Sequence, residues 1–88
     1  MKKLKITVFG RVQGIGFRFS AMQAAYKYGV RGFVKNQPDG SVYLEAEGKE
    51  QDVDQFLQWC KRGPIGARVE RVETEQTEPG DLTRFDIR

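Results

Sequence analysis

The sequence predicts an α+β sandwich of the ferredoxin-like type. It has a β-α-β-β-α-β order, an antiparallel sheet with both helices on one face, and a short extra C-terminal strand. Three observations lead there. Hydrophobic spacing switches from two to about 3.6 residues and back, twice along the chain. Pro38-Asp39-Gly40 separates two alternating segments, as a hairpin turn does. Gly29 and the Gly63-Pro64 pair stand where each helical pattern stops.

Each element has its own reason. Leu4, Ile6 and Val8 alternate with Lys5, Thr7 and Phe9, the pattern of a strand with one buried face. From Phe17 to Tyr28 the period becomes helical. Phe19, Met22 and Tyr26 form one apolar stripe, and Ala21, Ala25 and Tyr28 a neighbouring one. Val30 to Asn36 is a second strand. After the Gln37–Ser41 turn, Val42, Leu44 and Ala46 alternate with Tyr43, Glu45 and Glu47 in a third. Glu50 and Asp52 supply the acid a helix dipole favours in a first turn. Val53, Phe56, Leu57 and Cys60 make that helix's apolar stripe. Arg71 to Thr77 reads as a fourth strand, Glu78–Asp81 as a turn, and Phe85 with Ile87 as a last short strand. The large aromatics Phe17, Phe19, Tyr26, Phe56 and Phe85 are expected in the core. Glu45, Glu47, Asp52 and Asp54 are expected on solvated faces.

With 88 residues, residues 1–88 are expected to form one domain. A chain of this length buries roughly 60–65% of its unfolded surface, enough for one core. The 39% hydrophobic and 31% charged residues fit a soluble globular chain. No apolar run approaches the ~20 residues of a membrane span, and the N-terminal run is too interrupted for a signal peptide. The single cysteine, Cys60, excludes an internal disulfide and agrees with the reducing cytoplasm. A net charge of +3 suits a small anionic ligand and equally a weak nucleic-acid contact. The absence of histidine removes the commonest general base and metal ligand. A lone cysteine cannot build a zinc site.

The chemistry gathers at GRVQGIGFR, Gly10–Arg18, between the first strand and the first helix. Amides at a helix start carry partial positive charge and lack partners. Glycines let such amides turn toward an anion as a nest. Arg18 in the first turn opposes the helix dipole unless an anion sits before it, and its guanidinium can grip two phosphate oxygens. The stretch is neither Walker A, lacking Gly-Lys-Ser/Thr, nor a dinucleotide fingerprint, since Phe19 takes the third glycine's place. From the residues alone, a phosphate cradle and a plain glycine-rich turn with an exposed arginine stand about level. Asn36, ending the second strand, can orient a water through its amide or simply begin the turn. Arg31-Gly32-Phe33 opens like an RNA-binding motif, but Val34 and Lys35 break the match and the strand is the wrong one, so nucleic acid is not expected. Cys60 lies on an apolar stripe, as a packed thiol does, and Ser20 lacks a nearby base.

GRVQGIGFR together with GFVKNQPDGSV, Gly32–Val42, resembles the acylphosphatase family, with Ile15 where valine is usual. The similarity continues through LEAEG (Leu44–Gly48), the KRGP that ends the second helix, and ARVERVE (Ala67–Glu73), and so spans essentially the whole chain. It implies hydrolysis of the carboxyl–phosphate bond of acyl phosphates to a carboxylate and inorganic phosphate, without metal or cofactor. It also implies a compact single domain that needs no metal, with inorganic phosphate as product or inhibitor. Oligomeric state stays open, a monomer being the default for a small uninterrupted domain, and no nucleic-acid or membrane partner is expected. The family's phosphate-binding arginine falls on Arg18 and its water-orienting asparagine on Asn36. Its loop amides fall on Gln13, Gly14, Ile15, Gly16 and Phe17. Related domains occur inside larger hydrogenase-maturation proteins, but with nothing following Arg88 a free-standing enzyme is expected. The alternative of another class is a non-catalytic anion-binding module of the same fold.

Overall fold

The computed structural model describes all 88 residues, Met1–Arg88. The elements run β1 (Lys2–Arg11), α1 (Phe17–Tyr28), β2 (Arg31–Asn36), β3 (Val42–Gly48), α2 (Glu50–Arg62), β4 (Arg68–Thr77) and β5 (Phe85–Ile87). They build one five-stranded sheet in the order β4-β1-β3-β2-β5. The first four strands pair antiparallel, as the βαββαβ reading requires. The short fifth strand joins parallel to β2, so the complete sheet is mixed.

Registry follows the alternation. Leu4, Ile6 and Val8 of β1 face Ala46, Leu44 and Val42 of β3. All six are buried, on the face the helices cover. From α2, Val53, Phe56 and Cys60 complete that layer. Phe56 lies 5.6 Å from Phe85 and 6.1 Å from Trp59, ring centre to ring centre, which ties α2 to the last strand. No helix is long and apolar enough to cross a membrane.

Two expectations about burial fail, each for a physical reason. In α1 the core face is Phe17, Ala21, Ala24 and Ala25, while Phe19 and Tyr26 are 55% and 65% exposed. Both stripes have helical spacing. The helix turns its small residues inward, because alanines let its backbone approach the sheet and α2 closely. Glu47, expected in water, is 1% exposed. It does point away from the helices. However, β4 and β5 occupy opposite edges of the sheet, so residues 78–84 must cross between them. That crossing covers Glu47, whose Oε1 accepts the Gly80 N–H at 2.6 Å. The bond supplies the partner that a buried carboxylate needs.

β4 begins at Arg68, three residues before the expected Arg71, because its exposed, charged side chains hide its alternation. Such an edge also resists pairing with another chain. Its register against β1 shifts between Phe9 and Gly10, a bulge. Gly10 has φ +131°, and a Cβ there would collide with the Arg68 carbonyl. Bulges bend and re-aim a strand, and this one stands where β1 leads into the GRVQGIGFR loop.

Candidate active site

The loop after β1 is held at both ends. Val12 is fully buried, and Phe17, 2% exposed, sets its ring 5.4 Å from Trp59. Between these anchors Gly14 and Gly16 adopt φ +78° and +79°, the left-handed region. A Cβ on either would meet nothing within 4 Å, so conformation and not space calls for glycine there. A side chain would cost roughly 1–2 kcal/mol at such an angle.

The two helices start differently. α2 carries Glu50 and Asp52 in its first turn. α1 has no acid there and no side-chain cap on Gly16, and it places the cation Arg18 in that turn. The N–H groups of Gln13, Gly14, Ile15 and Gly16 make none of the backbone hydrogen bonds formed in turns, loops and caps. Arg18 is exposed and forms none of the protein's ion pairs. A helix start with free amides and an unpartnered guanidinium has the chemistry that suits an anion.

Asn36 reaches the same place from β2. A cavity of about 230 Å³ is lined by Val12, Gly14, Gly16, Phe17, Arg18, Phe19, Asn36 and Ile87. Of the residues expected from sequence, Gly14, Gly16, Phe17, Arg18 and Asn36 line it together. Gln13 and Ile15 do not. Ile15 packs half-buried against the core. No three acidic or thiol side chains converge as metal ligands do.

Gln13 has a different use for its side chain. Its Nε2 donates to the carbonyls of Gln37 and Ser41, both at 2.8 Å. The turn it grips is internally braced. Gln37 Nε2 donates to Ser41 Oγ at 2.9 Å, and the Ser41 hydroxyl and N–H both donate to the Asp39 carboxylate. Those two bonds, the hydroxyl's first, hold the Asp39 carboxyl below its ordinary pKa. Gln13 thus fastens the glycine loop to the turn that begins beside Asn36. Gln13→Leu is expected to lower stability by about 1–2 kcal/mol, the cost of two side-chain hydrogen bonds whose acceptors keep other partners. Urea unfolding measures it, and an unchanged midpoint would remove the fastening role. The sequence held no signal for this contact, which joins residues far apart in the chain.

Comparison with known proteins adds identity to this geometry. The acylphosphatase family model matches residues 4–87. An acylphosphatase of Anaeromyxobacter dehalogenans (strain 2CP-C) is 47% identical over 87 residues, covering 98% of this chain and 94% of that protein. One from Oceanobacillus iheyensis is 41% identical over 90 residues, covering 100% and 99%. The crystal structure of acylphosphatase from Bacillus subtilis superimposes with a TM-score of 0.95 at 35% identity, covering 99% of this chain and 98% of that one. With both helices, the glycine loop and all but the first two residues of the sheet inside the matched span, the chain belongs to the acylphosphatase family.

Proposed function

We propose that this acylphosphatase holds the phosphoryl group of its substrate between Arg18 and the loop amides of Gln13–Phe17, and that Asn36 orients the attacking water. One observation carries the reading: Arg18 and Asn36, from different elements, line one cavity with the loop glycines. The amides and the guanidinium offset charge on the phosphoryl oxygens as the P–O bond loosens. The Asn36 carboxamide accepts from the water and holds it in line with the leaving carboxylate. Water oxygen bonds to phosphorus. The bond from phosphorus to the carboxyl oxygen breaks, and its electron pair leaves with the carboxylate. The water's proton passes to a phosphoryl oxygen. Inorganic phosphate, released in the cradle, acts as product and competitive inhibitor.

All 88 residues serve one unit, consistent with a single sheet and one core cluster. The lone buried thiol of Cys60 supports action in the reducing cytoplasm. The charged β4 edge supports a monomer.

Hydrolysis of benzoyl phosphate with EDTA present is the direct test. Wild type turns over, and Asn36→Ala loses kcat by about 10²-fold, in the range general for losing one positioned group. Its inhibition constant for phosphate stays within about twofold, as the cradle is intact. Near-normal kcat in Asn36→Ala overturns the water-orienting role. The cavity lining contains no histidine, carboxylate or thiol. From about pH 6 to 8, kcat is therefore expected to follow only the substrate's own ionisation, since no lining side chain is of a type that titrates there. An enzyme-dependent inflection in that window would place a further titrating group in the mechanism.

A further inference from the structure

A second cavity, of about 320 Å³, lies in the groove between α1 and α2. It shares no lining residue with the cavity at Arg18. Small-molecule sites span roughly 300–1,000 Å³, and clefts between helices are a common place for them.

The sequence explains the charge of this groove. α1 contains no acidic residue, and the acids of α2, Glu50, Asp52 and Asp54, all stand in its first half. Lys27 and Arg62 fall in the last turns of their helices, where the dipole favours cations. The dipole accounts for one cation at each helix end. It does not account for both lining one cavity, with no carboxylate among the lining side chains. Neither cation forms an ion pair. Ser20 and Gln23 of α1 add a hydroxyl and a carboxamide to the lining. Neither of these side chains makes a hydrogen bond within the protein. Two free cations and two free polar groups at one concave place suit an anion.

The rest of the wall is aromatic. Tyr28 and Trp59 are half-buried, packed against the core and lining the cavity. Trp59 is held in place, its ring 5.4 Å from that of Phe17 and 6.1 Å from that of Phe56, within 17° of parallel to the latter. Its indole N–H has no acceptor in the protein. An aromatic surface already fixed by packing loses little freedom when a planar ring stacks on it. Cation and aromatic adjoin here, with the Lys27 ammonium 5.5 Å from the centre of the Tyr28 ring.

We propose that this groove binds a planar ring carrying a phosphate, of the nucleoside monophosphate class. The base lies against Trp59 and Tyr28, Arg62 and Lys27 hold the phosphate, and Ser20 and Gln23 supply further polar contacts. The site is separate from Arg18 and takes no part in hydrolysis. Phe17 lies between the two cavities, lining one and touching Trp59 of the other, so the experiment distinguishes them.

Trp59 is the chain's single tryptophan, and its fluorescence reports on the groove. Adenosine monophosphate (AMP) is titrated into wild type, Lys27→Ala, Arg62→Ala, the double variant and Arg18→Ala, with excitation beyond the absorption of adenine. Wild type is expected to show saturable quenching with a Kd below about 1 mM. Lys27→Ala and Arg62→Ala each weaken AMP about 5–10-fold, the range of one lost charge-assisted contact, and the double variant weakens it more than either. Arg18→Ala changes it by less than about twofold, as a separate site does. Adenosine, lacking the phosphate, and ribose 5-phosphate, lacking the base, each bind at least about tenfold more weakly than AMP. Lys27 and Arg62 are exposed, so their variants keep the fold, which circular dichroism checks. Absence of saturable quenching in wild type, or unchanged AMP affinity in the folded double variant, overturns the proposal. Loss of quenching in Arg18→Ala alone also overturns it, because AMP then sits in the catalytic cavity. Ribose 5-phosphate binding as tightly as AMP overturns it too, since the aromatic wall then contributes nothing.

Discussion

Arg18→Lys is expected to lower kcat/KM for benzoyl phosphate by about 10²-fold, and Arg18→Ala by about 10³-fold or more, the range in which transition-state cations on phosphoryl groups fall. Lysine restores the charge but not the flat fork that engages two oxygens at once. The loss should appear in phosphate inhibition too, because the same oxygens are held in substrate and product. Stability should barely change. Arg18 is exposed, has no ion-pair partner, and opposes the dipole of α1. Its removal relieves an unfavourable charge, so Arg18→Ala is expected to melt at or slightly above the wild-type temperature. Loss of activity without loss of stability would separate the proposed catalytic role from a structural one. Added guanidinium ion should return part of the activity of Arg18→Ala. Retention of activity within threefold by Arg18→Ala would remove Arg18 from the reaction.

Gly32→Ala is the substitution with the largest expected effect on the fold. Gly32 lies inside β2, between β3 on one side and β5 on the other. Its φ is +151°, and a Cβ would overlap the Glu45 carbonyl of β3. On its other side its N–H donates to the Arg84 carbonyl at 2.9 Å, the bond that leads β5 into place. Neither neighbour can yield without opening a ladder. A loss of at least about 3 kcal/mol is expected, at the severe end for one substitution. For a domain of this size that corresponds to a fall in Tm of roughly 12–24 °C. Gly40→Ala is the control. Its φ is +92° but the space around it is open, so only the backbone angle is penalised. Thermal melts followed by circular dichroism compare the two. A Gly32→Ala protein that melts within a few degrees of wild type would show that β3 and β5 can part at that point.

These cases mark which parts of the structure were legible in sequence. Local physics was. Pro38-Asp39-Gly40, the helix-closing glycines and the period changes placed every element, and both ends of α1 and α2, because turns and caps depend on residues a few positions apart. Arg18 and the glycine loop were legible for the same reason. What lay hidden depends on residues brought from far away. Nothing near Glu47 in sequence reveals that residues 78–84 pass over it. Two apolar stripes compete along α1, and only the closeness of the sheet favours alanine over Phe19 and Tyr26. Gln13 could be placed in the loop from its position, but its grip on Gln37 and Ser41 required the fold. Ile87 reads as the end of a minor strand until β5 docks beside β2.

That docking has a consequence for how the enzyme comes into being. β1 pairs with β4, and β2 with β5, so both edge strands of the sheet come from the last third of the chain. Ladders between distant segments form slowly, in milliseconds to seconds for folds rich in them. During synthesis the glycine loop, α1 and Asn36 emerge early, yet the wall that Ile87 contributes arrives among the final residues. A chain extended only through α2 thus lacks the strands that pair along the outer edges of β1 and β2, and lacks Ile87 from the cavity lining. Three residues of β5 then become one edge of the sheet and bring Ile87 to the cavity in the same step, so sheet and cavity are completed together by the last segment of the chain.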